Sequence, residues 1–218
     1  MARKSKDLAI ELLSHSMLSS GLFSEGAVKL VQDCKVTKDE IDSALRTAWS
    51  DLLPDPHPVK DRYVIGFIFD EDRKHVLLVW KNRPAWQNGK LNAPGGKVEE
   101  NESALLAVQR EIAEETGIKT DFHHWRYVGR RFRAAMSPKQ DFSYSLQMFV
   151  TEVPLVDMKT AQEWQTDEEV VALPLNMEII KRRGVPSLVW ATDAALAALD
   201  TGLIIEVEDP AIFPEDDQ

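Results

Sequence analysis

Basic residues are scarce in this chain of 218 residues. Lys and Arg number 26 against 36 Asp and Glu, which gives a formal net charge of −10. Sequence-independent binding to nucleic acid depends on neutralising many phosphates with Lys and Arg. Stable nucleic-acid binding is therefore not expected, although an acidic chain can still bind nucleotides through a metal ion.

Long apolar runs and paired cysteines are also missing. No run approaches the roughly 20 apolar residues that a membrane-spanning helix needs, and the first residues, MARKSKDLAIELL, carry acids where a signal peptide would keep an apolar core. The one cysteine, Cys34, cannot form an intramolecular disulfide. These absences predict no membrane association and a reducing, cytoplasmic location.

The first part of the chain is predicted to be a helical segment. Residues 37–40 have capping-box spacing and precede a helical stripe from Ile41 to Leu52. A helix-turn-helix DNA reader is one alternative, but acidic residues outnumber basic ones here, and the preferred role is a cap on the following domain or a homo-oligomer contact. Three prolines at 54, 56 and 58 indicate a linker, so residues 1–58 are separated from a domain at 59–205.

The remaining residues predict a mixed sheet between helices, an α/β fold. Apolar runs at 63–69 and 75–80 indicate a β-hairpin, and residues 125–134 and 142–153 indicate a second strand pair. A strand at 170–173 and an amphipathic helix at 186–199 follow. The helix is expected to turn four residues inward: Leu188, Ala191, Ala195 and Leu199. The acidic tail, 206–218, is expected to fray.

The most informative stretch is the acidic helix after Gly95-Gly96. Glu111, Glu114 and Glu115 share one helical stripe, beside an apolar face formed by Leu105, Val108 and Ile112, while Ala104 and Ala107 extend the acidic stripe. A charge run of this kind is often only a solvated face. Clustered carboxylates are also the oxygen ligands that Mg²⁺ or Mn²⁺ binds together with substrate phosphates.

The order of residues in this stretch favours a metal site over a solvated acidic face. Gly96, five residues, Glu102, seven residues and then REIAEETGI (110–118) resemble the Nudix box at every defined position. Glu102 points away from the acidic stripe and is expected to brace the entrance of the helix, where a carboxylate suits the helix dipole. Gly117 is expected to end the helix.

The resemblance implies a Nudix α/β/α sandwich and hydrolysis of a nucleoside diphosphate linked to another group. It implies that Mg²⁺, with Mn²⁺ as an alternative, is held by Glu111, Glu114, Glu115 and the Gly95 carbonyl. Nudix enzymes often place a further acid just before the strand at 170–173, and Glu168 is expected to fill that role. The general base is then either a box glutamate or Glu168, and Arg110 is expected to hold a glutamate or a phosphate oxygen.

Substrate contacts are expected in the loop before the box, which carries Lys81, Arg83, Trp86 and Asn92, and at Lys97 within the box. Trp86 is expected either to stack on a base or simply to pack. The segment from Leu91 to Val98 resembles nucleotide-pool sanitising Nudix enzymes, in which an asparagine at the position of Asn92 reads a purine edge. Three arginines at 130, 131 and 133 are expected to be solvent-exposed, with phosphate contact as the alternative.

The leading substrate is a (deoxy)nucleoside triphosphate, cleaved to the monophosphate and pyrophosphate. ADP-ribose and dinucleoside polyphosphates are the alternatives within the family. ADP-ribose enzymes tend to carry a proline where this chain has Arg133, and dinucleoside enzymes a tyrosine where it has Ala135 and Met136. A non-catalytic nucleotide-sensing module is the alternative of a different class, but such modules usually lose box glutamates.

Overall fold

The structure is a computed structural model that describes residues 59–100, 102–121, 124–133 and 143–209. The predictions for the helical segment, for the linker up to residue 58 and for the Ser-Pro turn that joins the second strand pair lie outside the described residues.

Seven strands and four helices make up the described part of the chain. The strands are β1 (Asp61–Asp70), β2 (His75–Lys81), β3 (Lys90–Asn92), β4 (Arg126–Arg133), β5 (Tyr144–Val153), β6 (Glu169–Pro174) and β7 (Ile205–Glu208). The helices are α1 (Ala104–Thr116), α2 (Leu155–Ala161), α3 (Met177–Arg183) and α4 (Leu188–Thr201). Both predicted strand pairs, the strand at β6 and the helix at α4 are confirmed, whereas β7 and the two short helices were not predicted.

The strands form one mixed sheet in the order β3-β2-β1-β5-β4-β7, with β6 paired to β2. The β1–β2 and β4–β5 pairs are antiparallel, while β1 and β5 run parallel over their whole length. Alternating side chains along these strands fill two separate apolar cores. α1 and α2 pack on one face around Ile68 and Phe149, and α3 and α4 pack on the other around Phe67 and Met148.

The two cores confirm the predicted sheet between helices. All four residues that were expected to face inward from α4 are buried: Leu188, Ala191, Ala195 and Leu199. No helix of the described ranges is long and apolar enough to cross a membrane.

A forked edge in the sheet positions the stretch before α1. β2 pairs with β1 at residues 76 and 77 only, and its far end pairs with β3 instead. The chain then crosses the gap between the two strands and pairs with β1: Gly66 N donates to Pro94 O, and Val64 N donates to Gly96 O, both at 2.9 Å. These main-chain hydrogen bonds, made by the residues before and after the Gly95 peptide, therefore fix Gly95 and Gly96 in the gap between β1 and β2.

The expectation that the acidic tail frays is wrong for residues 206–209. β7 runs parallel to β4 at the edge of the sheet, and the buried Asp209 accepts a hydrogen bond of 2.8 Å from Arg131 Nε. Tyr144 Oη also donates to Asp209. The sheet thus extends beyond the predicted boundary at 205, and residues 210–218 lie outside the described ranges.

The same contacts correct the prediction that Arg130, Arg131 and Arg133 of β4 are solvent-exposed. Arg130 is buried and its guanidinium lies 2.7 Å from Glu206, while Arg133 lies 3.7 Å from Asp209. Arg130, Arg131 and Arg133 were expected to be solvent-exposed, but they are partly or wholly covered because β7 and the Asp209 that follows it bring acids alongside them.

Candidate active site

Helix α1 begins and ends where the sequence predicts. The Ser103 side chain caps its first turn by accepting a hydrogen bond from Leu106 N at 3.2 Å, and Gly117 ends it in the left-handed conformation. The buried face is wider than predicted, because Ala104 and Ala107 are fully buried together with Val108 and Ile112. Glu115 therefore lies on the docking face of the helix and not beside it.

The three glutamates of the acidic stripe consequently have different surroundings. The side chain of Glu114 is 61% exposed, whereas those of Glu115 and Glu111 are 20% and 15% exposed. Burial raises the pKa of the Glu115 carboxyl above its usual range despite the nearby Lys81 charge. Burial likewise raises the pKa of Glu111, although Arg110 opposes the shift.

Arg110 ties the helix to the loop that precedes it. Its Nε and Nη2 donate to the two oxygens of Glu102 at 2.9 and 3.0 Å, and its Nη1 donates to Glu111 Oε1 at 2.9 Å. The hydrogen bond to Glu102 raises the pKa of Arg110, and the same bond lowers the pKa of Glu102. Glu102 also accepts from Glu99 N at 3.0 Å. Glu102 thus braces the helix entrance, as the sequence predicts.

Gly95 and Gly96, the two glycines of the turn before α1, lie too close to their neighbours to carry any side chain. A β-carbon on Gly95 would lie 2.7 Å from Ile65 Cα and still closer to Val64 O, and the φ angle of Gly95 is +148°. A β-carbon on Gly96 would collide with the Glu111 carboxylate. The main chain therefore lies directly against the carboxylates, and Gly95 N donates to Glu115 Oε2 at 2.8 Å.

A second element brings another carboxylate to the same place. Glu168, just before β6, is 8% exposed, and its Oε1 accepts from Asn82 N at 3.2 Å. Lys81, at the end of β2, makes an ion pair with Glu168 and lies 3.4 Å from Glu115 Oε1. Glu115 and Glu168, from distant parts of the sequence, thus meet at a single ammonium group.

The donor set fits a hard divalent cation. Carboxylates at Glu111, Glu115 and Glu168 lie around the glycine turn, and the buried Glu168 Oε2 contacts the Lys81 ammonium but makes no hydrogen bond within the described residues. Oxygen ligands of this kind suit Mg²⁺ or Mn²⁺. No three Asp, Glu, His or Cys side chains in those residues converge closely enough to hold a metal as they stand, since Lys81 and Arg110 lie between the carboxylates.

The expected substrate residues are less closely gathered. Arg83 is exposed and lies 3.7 Å from Asp167, and Trp86 is 59% exposed at the surface of the β2–β3 loop. Lys97 donates to Asp61 at 2.6 Å. The structure therefore places Arg83 beside the segment that carries Glu168, while Lys97 pairs with β1.

Asn92 is anchored inside its own loop. Its Nδ2 donates to Gln87 Oε1 at 3.0 Å, and its Oδ1 accepts from Ala93 N at 2.9 Å. An amide group has two donor hydrogens and two acceptor lone pairs. Within the part of the chain that the structure describes, these bonds use one donor and one acceptor of the Asn92 amide and leave one of each.

Sequence reasoning missed two contacts of the site. Lys81 was named only as one residue of the substrate loop, although the pairing of Trp80 with Glu169 makes it the cross-strand neighbour of Glu168. Trp164 was not considered, yet its Nε1 donates to Glu114 O at 3.0 Å and its ring covers Gly117. Strand register would have revealed the first contact, whereas no pattern in the sequence indicates the second.

Comparison with known proteins agrees with this geometry. The NUDIX domain model matches residues 59–186, and the chain belongs to the Nudix family. Nudix hydrolase 7 of Arabidopsis thaliana is 24% identical over 149 residues, which are 63% of this chain and 51% of that protein. Nudix hydrolase 6 of the same plant is 28% identical over 151 residues, 64% of this chain and 52% of that protein. The chain thus spans about half the length of these relatives.

A solved structure supports the fold. The crystal structure of NrtR from Shewanella oneidensis superposes with a TM-score of 0.50 at 17% identity, and the match covers 64% of each chain. At that identity the likeness shows the Nudix fold alone.

Proposed function

We propose that this protein hydrolyses a diphosphate bond in a nucleoside diphosphate linked to another group, in a reaction that depends on Mg²⁺, with Mn²⁺ as an alternative. The observation that carries the proposal is that the Glu111 and Glu115 carboxylates lie directly against the Gly95-Gly96 turn, while Lys81 joins Glu168 to Glu115. Buried carboxylates repel one another and are costly without compensating positive charge. A site built in this way favours a cation together with the phosphates that accompany it.

Four groups would hold the cation: Glu111, Glu114, Glu115 and the Gly95 carbonyl. In a paired strand the main-chain polar groups of successive residues point to opposite edges. Residues 94 and 96 bond to β1, whereas Gly95 N donates to Glu115, and this supports a cation beside the main chain of Gly95. When bound, a divalent cation neutralises the diphosphate and lowers the pKa of the attacking water.

The remaining residues have separate roles in this proposal. Glu168, which Asn82 N anchors, is proposed to accept the proton of the attacking water, with a box glutamate as the alternative base. Arg110 keeps Glu111 in place through their hydrogen bond. Arg83, Trp86, Asn92 and Lys97 are proposed to contact the substrate, with Asn92 reading the base edge.

The proposed substrate is a (deoxy)nucleoside triphosphate, split into monophosphate and pyrophosphate. ADP-ribose and dinucleoside polyphosphates remain the alternatives, and the residues Arg133, Ala135 and Met136 depart from the patterns of those two enzyme groups. The complete box argues against a sensing module without activity. A homo-oligomer through residues 1–58 is proposed as the role of that segment.

A nucleotide panel with Mg²⁺ tests the proposal. Phosphate release from a nucleoside triphosphate is expected only when inorganic pyrophosphatase is added, because the direct product is pyrophosphate. ADP-ribose and dinucleoside polyphosphates are assayed in parallel with alkaline phosphatase, which attacks monophosphate products but not the diphosphate bridge. Turnover of none of these compounds, with Mg²⁺ or with Mn²⁺, would contradict the proposed activity.

A further inference from the structure

The two carboxylates that meet at Lys81 are arranged in the same manner. In each, one oxygen accepts from a main-chain N–H: Glu115 Oε2 from Gly95 and Glu168 Oε1 from Asn82. The other oxygen of each, Glu115 Oε1 and Glu168 Oε2, faces the ammonium of Lys81. Two monodentate carboxylates converging on one positive charge form the arrangement in which a bridging cation is bound.

The ammonium group is enclosed at this position. The side chain of Lys81 is 12% exposed, and those of Glu168 and Glu115 are 8% and 20% exposed. Carboxylates this far from water need a compensating charge, and Lys81 supplies it. Lys81 is also the last residue of β2, so its main chain is fixed while its four-carbon stem can turn.

The carboxylates do not depend on Lys81 for their positions. The Gly95 and Asn82 amides hold one oxygen of each, and strand pairing holds both segments. If the ammonium swings away, the two remaining oxygens stay where they are and face each other with no charge between them.

We propose that Lys81 is an internal counter-cation that occupies the place of a divalent metal ion in the metal-free protein and must leave when the ion binds. The inference rests on the proposed metal site of this enzyme. It assigns Lys81 a positioning role that opposes metal binding, because the ammonium already pairs with Glu115, one of the groups proposed to hold the cation, and with Glu168 next to it.

Binding of Mn²⁺ to the full chain without nucleotide tests this role, with free Mn²⁺ measured by electron paramagnetic resonance. Lys81→Met keeps the length of the side chain and removes its charge, and is expected to bind Mn²⁺ about tenfold more tightly than the wild type. Lys81→Arg keeps the charge and is expected to show no gain. Lys74→Met is the matched control, because Lys74 makes its ion pair with Asp72 on the exposed surface.

A gain that persists when Glu115→Gln is added to Lys81→Met would place the effect elsewhere and overturn the proposal. Equal or weaker Mn²⁺ binding by Lys81→Met would also overturn it, while leaving the metal site intact. Failure of the wild type to bind Mn²⁺ at all would overturn the metal site together with this inference.

A second measurement uses the wild-type protein and does not depend on the folding of a variant. Reductive methylation followed by peptide mass spectrometry reports how accessible each lysine is. Saturating Mg²⁺ is expected to speed the labelling of Lys81 several-fold and to leave Lys74 unchanged. Unchanged or slower labelling of Lys81 in protein that binds Mg²⁺ would contradict displacement.

Discussion

Gly96 faces the Glu111 carboxylate so closely that a β-carbon on residue 96 would collide with the carboxyl carbon and both of its oxygens. The atoms that would have to yield are the far end of a side chain and not the main chain. We therefore predict that Gly96→Ala folds, keeps its melting temperature within a few degrees, and loses at least about tenfold in turnover because Glu111 is displaced. Circular dichroism and steady-state kinetics measure the two effects.

Gly95→Ala provides the contrast. There the collision is with Val64 O and Ile65 Cα, at a positive φ that other residues rarely adopt. This variant is expected to lose stability as well as turnover. Equal melting temperatures for the two variants would contradict the described packing of the turn.

Glu115 and Glu114 differ in burial but are both proposed to hold the cation. Glu115→Gln and Glu114→Gln are each predicted to lower turnover by about 10² or more while the fold survives, since a metal ion contributes several kcal/mol of transition-state stabilisation. The matched control is Glu178→Gln, on the exposed start of α3. Normal turnover in both box variants would remove the proposed metal site.

Asn92 is predicted to recognise a purine edge with the donor hydrogen and the acceptor lone pair that its contacts with Gln87 and Ala93 do not use. Asn92→Ala should raise KM for the preferred purine nucleotide by the equivalent of roughly 1–3 kcal/mol, and should change pyrimidine hydrolysis much less. Gln87→Ala is the control, because it removes the loop contact of Asn92 but leaves its amide. Equal losses on both bases, reproduced by Gln87→Ala, would show that Asn92 only supports the loop.

Asp209 is predicted to be a stability residue outside the site. Asp209 accepts hydrogen bonds from Arg131 and Tyr144. Burial of the Tyr144 hydroxyl and its hydrogen bond to Asp209 together raise the pKa of Tyr144 to about 12. Asp209→Ala should lower the free energy of unfolding by about 2 kcal/mol or more, because Arg131 and Tyr144 lose their hydrogen bonds to the Asp209 carboxylate. Urea unfolding measures the loss, and the exposed neighbour Glu208→Ala should show almost none.

The Arg110–Glu102 contact predicts a specific pH dependence. Because the Arg110 hydrogen bond lowers the pKa of Glu102 in the folded state, folding releases a proton from this group at acidic pH. The ionised Glu102 carboxylate contributes fully to the free energy of unfolding above its ordinary pKa of 4.5, and this contribution is lost as the pH falls through the lowered pKa of the folded state. The stability difference between wild type and Glu102→Gln should therefore be constant from pH 7 to 5 and shrink below about pH 4.5. The exposed Glu100→Gln should not show this narrowing.

Local patterns predicted much of the fold. Alternation of apolar residues gave the two strand pairs, and helical spacing gave α1 and the inward face of α4. The short helices α2 and α3, with seven residues each, are too brief for a clear period. β7 was missed because its sequence, IEVE, resembles a solvated tail until its acids are paired with the arginines of β4.

The site was predictable where its residues are adjacent in sequence and less so where they are not. Box spacing placed Glu111, Glu114 and Glu115 together, but the helical wheel did not show that Glu115 lies on the face that docks on the sheet. That distinction depends on which face docks on the sheet, and Ala104 and Ala107 decide it. The contact of Lys81 with Glu168 depends on strand register, which a single sequence does not fix.

The forked edge between β1 and β2 has a consequence for how such a protein can change. Main-chain amide and carbonyl groups hold the glycine turn to β1, so the position of the turn does not depend on most side chains of β1 and β2. The loop after β2, which carries Arg83 and Trp86, can then be exchanged or lengthened beyond Asn82 without moving the acidic residues, because Asn82 N is the loop group that holds Glu168. A fold of this kind can acquire a new substrate by altering its loops while its chemical centre stays fixed.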